Sequence, residues 1–246
     1  MEKKSDSYEN TDNWDIHYDN SFRKFLLRIG IKGNLFLNRE VGKYIIKKTN
    51  NLESFIEVGV GGGLLSKLMS NEFEQCYILD KSKKALEVSM SRAKNCIPIH
   101  ADVFLYNAET KYDAVSSLGL VEHFNDNAIK RMVDTHLNLA KSNGHVFILV
   151  PAYNKRREVA VISPGMIRKY GYQDAFAEYK IEDYLKEKTI IFEKKYFDFI
   201  PHYVLYYKII RLFALFVYLV SGFKVENVFK KDKGNHALFY INKNQS

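Results

Sequence analysis

The chain has 246 residues and two cysteines, so it is long enough for one large domain with an elaborated end but lacks a disulfide framework or a multi-cysteine zinc site. Hydrophobic residues make up 46% of the chain, which supports a sizeable core and excludes wholesale disorder. The formal net charge is +8, and the whole excess of Lys and Arg lies after residue 140, which indicates an anionic substrate, an anionic membrane face, nucleic acid, or simply solvated lysines.

The first 50 residues predict a helical segment ahead of the main domain. Residues 1–15 are polar and contain no apolar run, so we expect no signal peptide and a cytoplasmic setting. A polar, aromatic stretch that contains His17 and Tyr18 follows, and residues 21–48 have the spacing of one or two amphipathic helices.

Between residues 52 and 151, short apolar runs alternate with helical patterns. Continuous apolar strands that alternate with helices predict βαβ units and a parallel sheet covered on both faces. The predicted strands are 54–59, 76–79, 97–101, 113–117 and 145–150, and the predicted helices are 64–70, 82–94 and 127–140.

A glycine-rich turn follows the first predicted strand. Four glycines lie between positions 59 and 63, and an acidic residue, Glu57, stands two residues before the first of them. Residues without a Cβ atom let a ligand approach the backbone, and the start of the following helix offers free N–H groups. We therefore expect a nucleotide-like ligand at the carboxyl end of this strand.

Two nucleotide classes compete for this turn. The dinucleotide fingerprint requires Gly or Ala where this chain has Leu64, and the Glu57 carboxylate would repel a pyrophosphate but attract a sulfonium and an amino group. This charge argument favours S-adenosylmethionine and leaves an NAD-dependent enzyme as the alternative. Asp80 ends the second strand and suits ribose hydroxyls in either ligand, while Asp102 follows the third and suits the adenine amino group or a helix cap.

The ordered series of motifs resembles the class I S-adenosylmethionine-dependent methyltransferases of the small-molecule branch. The segment 57–63 resembles that family's first motif, 78–82 its ribose-binding turn, 101–103 its adenine-contacting motif and 112–124 its fourth-strand signature. The resemblance implies an α/β, Rossmann-like fold of three α/β/α layers, with a mostly parallel seven-stranded sheet and one antiparallel strand. It implies cofactor contacts by Glu57, Gly59, Gly61, Gly63, Asp80, Lys81, Asp102, Val103 and Leu118.

One departure from the family pattern concerns Leu118, where many relatives carry a polar residue, so we expect a backbone contact to the cofactor there. The resemblance implies a methyltransferase domain over residues 51–246, with a cofactor half at 51–151 and substrate-side elements at 152–246. Residues 1–50 would form its lid.

The turn after the fourth strand limits the classes of molecule that could accept the methyl group. Enzymes that methylate exocyclic base amines resemble one another in an Asn/Asp-Pro-Pro-Tyr-like turn, whereas residues 117–120 read Ser-Leu-Gly-Leu. Neither cysteine lies there to act as the nucleophile of cytosine C5 methylation. No nucleic-acid module is recognisable, so we do not expect nucleic acid as a partner. The remaining interpretation is methyl transfer to oxygen or nitrogen of a small-molecule or lipid-linked acceptor.

Three residues are candidates for the base that removes the acceptor's proton. His123 lies just beyond the fourth strand, and His17 and Tyr18 lie in the lid; histidine suits proton transfer near neutral pH. The structural alternatives are a histidine packed at the sheet edge and lid residues that only exclude water. Glu122 and His123 are too few ligands for a metal site, so we predict no metal.

After residue 151 we expect a helix at 170–188, a sixth strand at 190–200 and a seventh at 237–242, with an apolar helical insertion at 203–220 between the strands. An alternative alignment starts the sixth strand at 221–225. Two cations near the middle of the insertion argue against a membrane-spanning helix.

Three roles of the insertion stay open. They are a core or homodimer helix, peripheral membrane contact through residues 201–233, and the wall of a pocket for a long apolar acceptor. A second hypothesis for the whole chain is a non-catalytic relative that serves as a membrane-associated scaffold or assembly subunit.

Overall fold

The structure is a computed structural model and describes residues 35–198, 220 and 234–245. Its strands are β1 (Ser54–Val58), β2 (Gln75–Asp80), β3 (Cys96–His100), β4 (Tyr112–Leu118), β5 (Ala140–Pro151), β6 (Phe192–Phe197) and β7 (His236–Asn242). They form one seven-stranded sheet in the order β3-β2-β1-β4-β5-β7-β6. Strand β7 is antiparallel to both of its neighbours, and the pairs among β1 to β5 are parallel.

Helices cover both faces of this sheet. They are α1 (Leu35–Lys48), α2 (Leu64–Met69), α3 (Lys83–Met90), α4 (Asp126–Leu139), α5 (Lys155–Val161), α6 (Pro164–Tyr170) and α7 (Ala177–Glu187). Successive side chains of a strand point to opposite faces. Phe55 accordingly packs in the core formed with α1, α2 and α3, whereas Ile56 and Val58 pack in the core formed with α4 and α7. The predicted three-layer α/β fold is confirmed.

The region after β5 differs from the predicted elements. The predicted helix 170–188 is wrong over its first turns, because α6 ends at Tyr170 and Gly171, at φ +68°, breaks the chain before α7. Helices α5 and α6 were not predicted, although Asn154 and Ser163 accept hydrogen bonds from backbone N–H groups at their starts. Strand β5 begins at Ala140, earlier than predicted.

The sixth strand supports the preferred alignment. Strand β6 pairs with β7 from Phe192 opposite Ile241 to Phe197 opposite His236, so the alternative start at 221–225 is wrong. The insertion 203–220 therefore falls between β6 and β7 in the chain, but apart from residue 220 it lies outside the described residues, as do His17 and Tyr18. Within the described ranges, no helix has the length and apolar character needed to cross a bilayer.

A buried carboxylate joins the amino ends of the central strands. Asp113 accepts hydrogen bonds from the Ser54 backbone N–H at 3.0 Å, from the Ser54 hydroxyl and from Lys141 Nζ at 2.9 Å. Burial by itself disfavours the ionised form, but the hydrogen bonds from Ser54 and Lys141 outweigh it and hold the pKa of Asp113 below its usual value. The charged form of Asp113 therefore stabilises the junction of β1, β4 and β5.

We predict that Asp113→Asn lowers the free energy of unfolding near neutral pH by about 1.5–3 kcal/mol, the usual contribution of hydrogen bonds to a charged group. Because the folded pKa is depressed, the wild type has this stabilisation above the unfolded pKa of about 3.9 and loses it as pH falls through the folded pKa. Urea unfolding at pH 7 and in acid measures both effects. The exposed Glu109→Gln is the control, and an equal loss in both variants would contradict the assignment.

Candidate active site

The turn between β1 and α2 requires glycine at two positions for reasons of local geometry. Gly59 has φ +71°, and a Cβ atom there would lie 2.8 Å from Leu120 Cδ1. Gly63 has φ +66°, and its Cβ would lie 2.8 Å from the Ser89 Cα. Side chains rarely adopt such left-handed conformations. The turn is therefore packed directly against Leu120, which follows the end of β4, and against helix α3.

Helix α3 also holds the turn through hydrogen bonds. Ser89 Oγ donates to the Gly61 carbonyl at 3.2 Å, and Arg92 Nη1 donates to the Gly62 carbonyl at 2.5 Å. With both carbonyls bonded on the α3 side, the conformation of the turn is fixed by the protein itself. A ligand therefore meets a backbone that is already organised.

Glu57 is buried and fastens the end of β1 to α2. Its Oε2 accepts from the Ser66 backbone N–H at 3.0 Å and from the Ser66 hydroxyl. Ser66 is the third residue of α2, whose N–H has no partner within the helix, and the N-cap residue Gly63 has no side chain to supply one. Burial raises the pKa of Glu57 to about 8, against the hydrogen bonds from Ser66 that favour the ionised form.

The predicted acidic residues meet at the carboxyl ends of β2 and β3. Asp80 Oδ1 accepts from the Ser82 N–H at 2.8 Å, and Asp102 Oδ1 accepts from the Phe104 N–H at 2.9 Å. Lys81 Nζ lies 3.5 Å from Asp102 Oδ2. This ion pair lies across the ends of the two strands and is partly exposed, so water screens it and a ligand can displace it at small cost.

The remaining predicted cofactor residues lie along the same edge of the sheet. Val103 follows Asp102 and is half-buried against the core on the α4 side. Leu118 ends β4 and is half-buried against the core on the α1 side. The next backbone N–H, that of Gly119, donates to the Leu149 carbonyl at 2.9 Å. The structure thus brings the ends of β1 to β4 and their predicted residues to one edge.

His123 lies on a short 3-10 turn, Val121–His123, directly after β4. Its Nδ1 lies 2.8 Å from the Tyr172 carbonyl oxygen. A carbonyl oxygen can only accept a hydrogen bond, so Nδ1 carries the hydrogen and Nε2 is the basic nitrogen of the neutral ring. This tautomer is the one that a general base with its Nε2 at the substrate requires.

A group of charged residues around the 3-10 turn was not predicted. The Asp174 N–H donates to the Glu122 carbonyl at 2.6 Å, and Asp174 Oδ2 pairs with Lys180 Nζ at 2.5 Å. Arg157 lies close enough for the Glu122 and Asp174 carboxylates to raise the pKa of its guanidinium, although burial lowers that pKa by more. The only signal in the sequence was the excess of cations after residue 140, because helices α5 and α6 were not recognised.

Glu122 and His123 are adjacent in the 3-10 turn, and they are the two residues whose types would suit a metal ion. In the part of the chain that the structure describes, no group of three or more His, Cys, Asp or Glu side chains is arranged to hold a metal ion.

The sequence and the fold of this chain are similar to those of known proteins. A sequence profile of the methyltransferase domain matches residues 55–144. Over these residues the chain is similar to methyltransferases. The ubiquinone biosynthesis O-methyltransferase of Vibrio cholerae is 31% identical over 116 residues, 42% of this chain and 45% of that relative. The protein of the same name from Pelagibacter ubique is 34% identical over 97 residues, 38% of this chain and 40% of that relative. The match spans less than half the length of these relatives.

Solved structures of methyltransferases share the fold of this chain. N-methyltransferase NodS from Bradyrhizobium japonicum, in complex with S-adenosyl-L-homocysteine, matches 94% of this chain and 96% of its own with a TM-score of 0.59 and 9% identity. Magnesium protoporphyrin IX methyltransferase from Synechocystis, also with bound S-adenosyl-L-homocysteine, matches 93% and 92% with a TM-score of 0.56 and 15% identity. At such identities the likeness establishes the fold.

We predict that Glu57→Gln stabilises the ligand-free protein increasingly as pH rises. Between the unfolded pKa of about 4.3 and the folded value of about 8, the native state holds a proton that the unfolded chain has released, so the unfolding free energy of the wild type falls with pH. Gln keeps an oxygen for Ser66 and does not titrate. Melting temperatures from pH 5 to 8.5 measure the difference between the variants, and parallel curves would contradict the raised pKa.

Proposed function

We propose that the chain is an S-adenosylmethionine-dependent methyltransferase that acts on an oxygen or nitrogen of a small-molecule acceptor. The observation that supports this most is the edge where the glycine turn, Asp80 and Asp102 end three adjacent parallel strands. Ligands of open α/β sheets bind at such carboxyl ends. The matched methyltransferase family profile covers the same strands.

The proposed cofactor contacts follow from this edge. Asp80 accepts from the ribose hydroxyls, and Asp102 accepts from the adenine amino group once Lys81 has moved aside, with Val103 against the adenine ring. The backbone at Gly59, Gly61, Gly63 and Leu118 approaches the nucleoside and the amino-acid portion. Glu57 contributes a buried negative charge behind the turn, because a bound cation favours its ionised form over the protonated one.

When bound, S-adenosylmethionine supplies an electrophilic methyl group on a positively charged sulfur. The chain then has to align the acceptor atom in line with that methyl group and to take up the proton that the acceptor loses. We assign the proton to His123 Nε2, since the Tyr172 carbonyl fixes the hydrogen on Nδ1. His17 and Tyr18 of the proposed lid are the other candidates, and the lid would exclude water from the reaction.

The acceptor class is inferred from the relatives and from the absence of nucleic-acid motifs. Two matched relatives are named as ubiquinone biosynthesis O-methyltransferases, so we propose a hydroxyl group on a small or lipid-linked molecule. The non-catalytic scaffold hypothesis is not favoured, because the glycine turn and both acidic residues are present in the expected arrangement. The NAD hypothesis is not favoured either, since Leu64 replaces the required small residue.

We predict that Asp80→Ala weakens binding of S-adenosylhomocysteine about ten- to hundredfold, the range for loss of a charged hydrogen bond of about 1.5–3 kcal/mol. Isothermal titration calorimetry with wild type, Asp80→Ala and the exposed control Asp183→Ala measures it. NAD serves as the competing ligand. Folded wild type that binds no S-adenosylhomocysteine at millimolar concentration, or that binds NAD instead, would overturn the proposed function.

We further propose that the protein docks peripherally on anionic membranes, which would bring it to a lipid-linked acceptor. The described residues supporting this lie on α5, on α6 and in the turn between them, where Val159, Ile167 and Ile162 are 68%, 47% and 71% exposed, respectively. The basic residues Arg156 and Arg168 accompany them on the same two helices. Apolar side chains that enter the interface and cations that face anionic headgroups reinforce each other. Membrane contact through 201–233 and a homodimer through 203–220 stay predictions, because apart from residue 220 these segments lie outside the described residues.

We predict that the wild type co-sediments with vesicles containing anionic phospholipid, that binding falls in high salt, and that Val159→Asp combined with Ile167→Asp abolishes it. Asp removes apolar area and adds repulsion, and neither side chain is buried. Ile97→Asp, on the edge strand β3, is the matched control because Ile97 is 46% exposed but lies outside α5 and α6. Equal binding of all variants would contradict this surface.

A further inference from the structure

Two charged side chains next to the 3-10 turn each keep a buried polar atom without a hydrogen-bond partner. Within the described ranges these are Glu122 Oε2 and Arg157 Nε. Glu122 is only 3% exposed. Arg157 uses its Nη2 to donate to Gln173 Oε1 at 2.9 Å. A buried charge without partners is costly, so such atoms mark a place that something else completes.

The neighbouring carboxylates, Asp174 and Glu178, already accept hydrogen bonds, in contrast to Glu122 Oε2. Asp174 accepts from Lys180 and, at 2.7 Å, from the Phe176 N–H. Glu178 accepts from the Tyr153 N–H at 2.7 Å and from the Tyr196 hydroxyl at 2.6 Å. Glu122 and Arg157 therefore differ from these neighbours, because each keeps a buried polar atom that no protein group contacts by a hydrogen bond.

The two charges also act on each other. Burial lowers the pKa of the Arg157 guanidinium, and the Glu122 and Asp174 carboxylates oppose that shift. A carboxylate and a guanidinium that are close in space would normally share hydrogen bonds directly. Here Glu122 Oε2 and Arg157 Nε each lack a hydrogen-bond partner, so each can still bind a third group.

The location of the pair is next to the proposed methyl-transfer site. A Cβ atom on Gly119 would lie 3.5 Å from Glu122 Oε1, which places the carboxylate at the carboxyl end of β4. The adjacent Leu120 packs against Gly59 of the glycine turn. His123 is the next residue after Glu122, so the proposed base and the pair belong to the same turn.

We propose that Glu122 and Arg157 bind the acceptor's hydroxyl group between them, with the O–H donating to Glu122 Oε2 and the oxygen accepting from Arg157 Nε–H. This inference rests on the proposed function and deepens it, because it assigns the acceptor subsite and selects oxygen over nitrogen. A hydroxyl donates through its O–H and accepts through its oxygen at once. A protonated amine only donates and would be repelled by Arg157, and a carboxylate or phosphate would be repelled by Glu122. A neutral aromatic amine can donate, but its lone pair is delocalised into the ring and is a weak acceptor for Arg157 Nε–H.

The subsite also assists the proton transfer. As the oxygen attacks the methyl carbon and the carbon–sulfur bond breaks, the hydroxyl proton passes to Glu122 Oε2, which already accepts its hydrogen bond, and from there to the neighbouring His123 Nε2. Arg157 then faces the oxygen while negative charge develops on it, which lowers the pKa of the bound hydroxyl. The products are the methyl ether, the neutral thioether and a protonated His123.

The test uses the full chain with bound S-adenosylhomocysteine and measures calorimetric binding of catechol and of aniline. We expect the wild type to prefer catechol, and Glu122→Gln and Arg157→Met each to weaken catechol binding at least tenfold without changing S-adenosylhomocysteine affinity. Lys155→Met, at the exposed start of the same helix, is the matched control. In turnover with S-adenosylmethionine, Arg157→Met should move the rise of kcat/KM to higher pH, a shift that a merely structural role would not give.

Each outcome has a distinct meaning. Wild-type catechol binding that both variants retain, as expected if only a water bridges the pair, would overturn the subsite, and so would a complex that binds S-adenosylhomocysteine but no catechol at millimolar concentration. A preference for aniline would overturn the choice of oxygen. Failure to bind S-adenosylhomocysteine at all would overturn the proposed function first and the subsite with it. Equal melting temperatures of the variants exclude misfolding as the cause of lost binding.

Discussion

The hydrogen bonds between the buried Glu57 carboxyl and Ser66 are the constraint on which the site depends. They join the end of strand β1 to the first turn of helix α2, where Gly63 has no side chain that could cap the helix. The segment between them must then turn sharply, and Gly59 and Gly63 are the residues that allow it. The protein keeps a carboxyl in its interior at a raised pKa, an unfavourable environment that a bound cation would relieve.

Around this turn, the site is assembled from two parts of the chain with different physical character. The edge formed by β1 to β4 is rigid, since each strand end is held by its neighbours and the turn is bonded to α3. The segment after β5 contacts this edge at two backbone positions, the Tyr172 carbonyl and the Asp174 N–H. The first part suits a cofactor common to many enzymes, and the second suits the recognition of one acceptor.

Sequence patterns predicted strands β1 to β4 and the glycine turn well because their determinants are local. A strand, a glycine turn and an acidic residue at the next strand end are each readable within about 10 residues, and the parallel order places them together. The acceptor side was not predictable in this way. The tautomer of His123 depends on the Tyr172 carbonyl, 49 residues later. Arg157, whose pKa is affected by the Glu122 carboxylate, lies on helix α5, which was not predicted. Gly171 was not recognised as the end of α6, so the helix was predicted across it.

A crystal structure of the protein grown with S-adenosylhomocysteine tests the central claim most directly. The account predicts the nucleoside across the carboxyl ends of β1 to β3, with the ribose at Asp80, the adenine beside Asp102 and the sulfur directed towards the Glu122–His123 turn. Density for the nucleoside at any other edge of the sheet, or a glycine turn that the ligand does not touch, would contradict it.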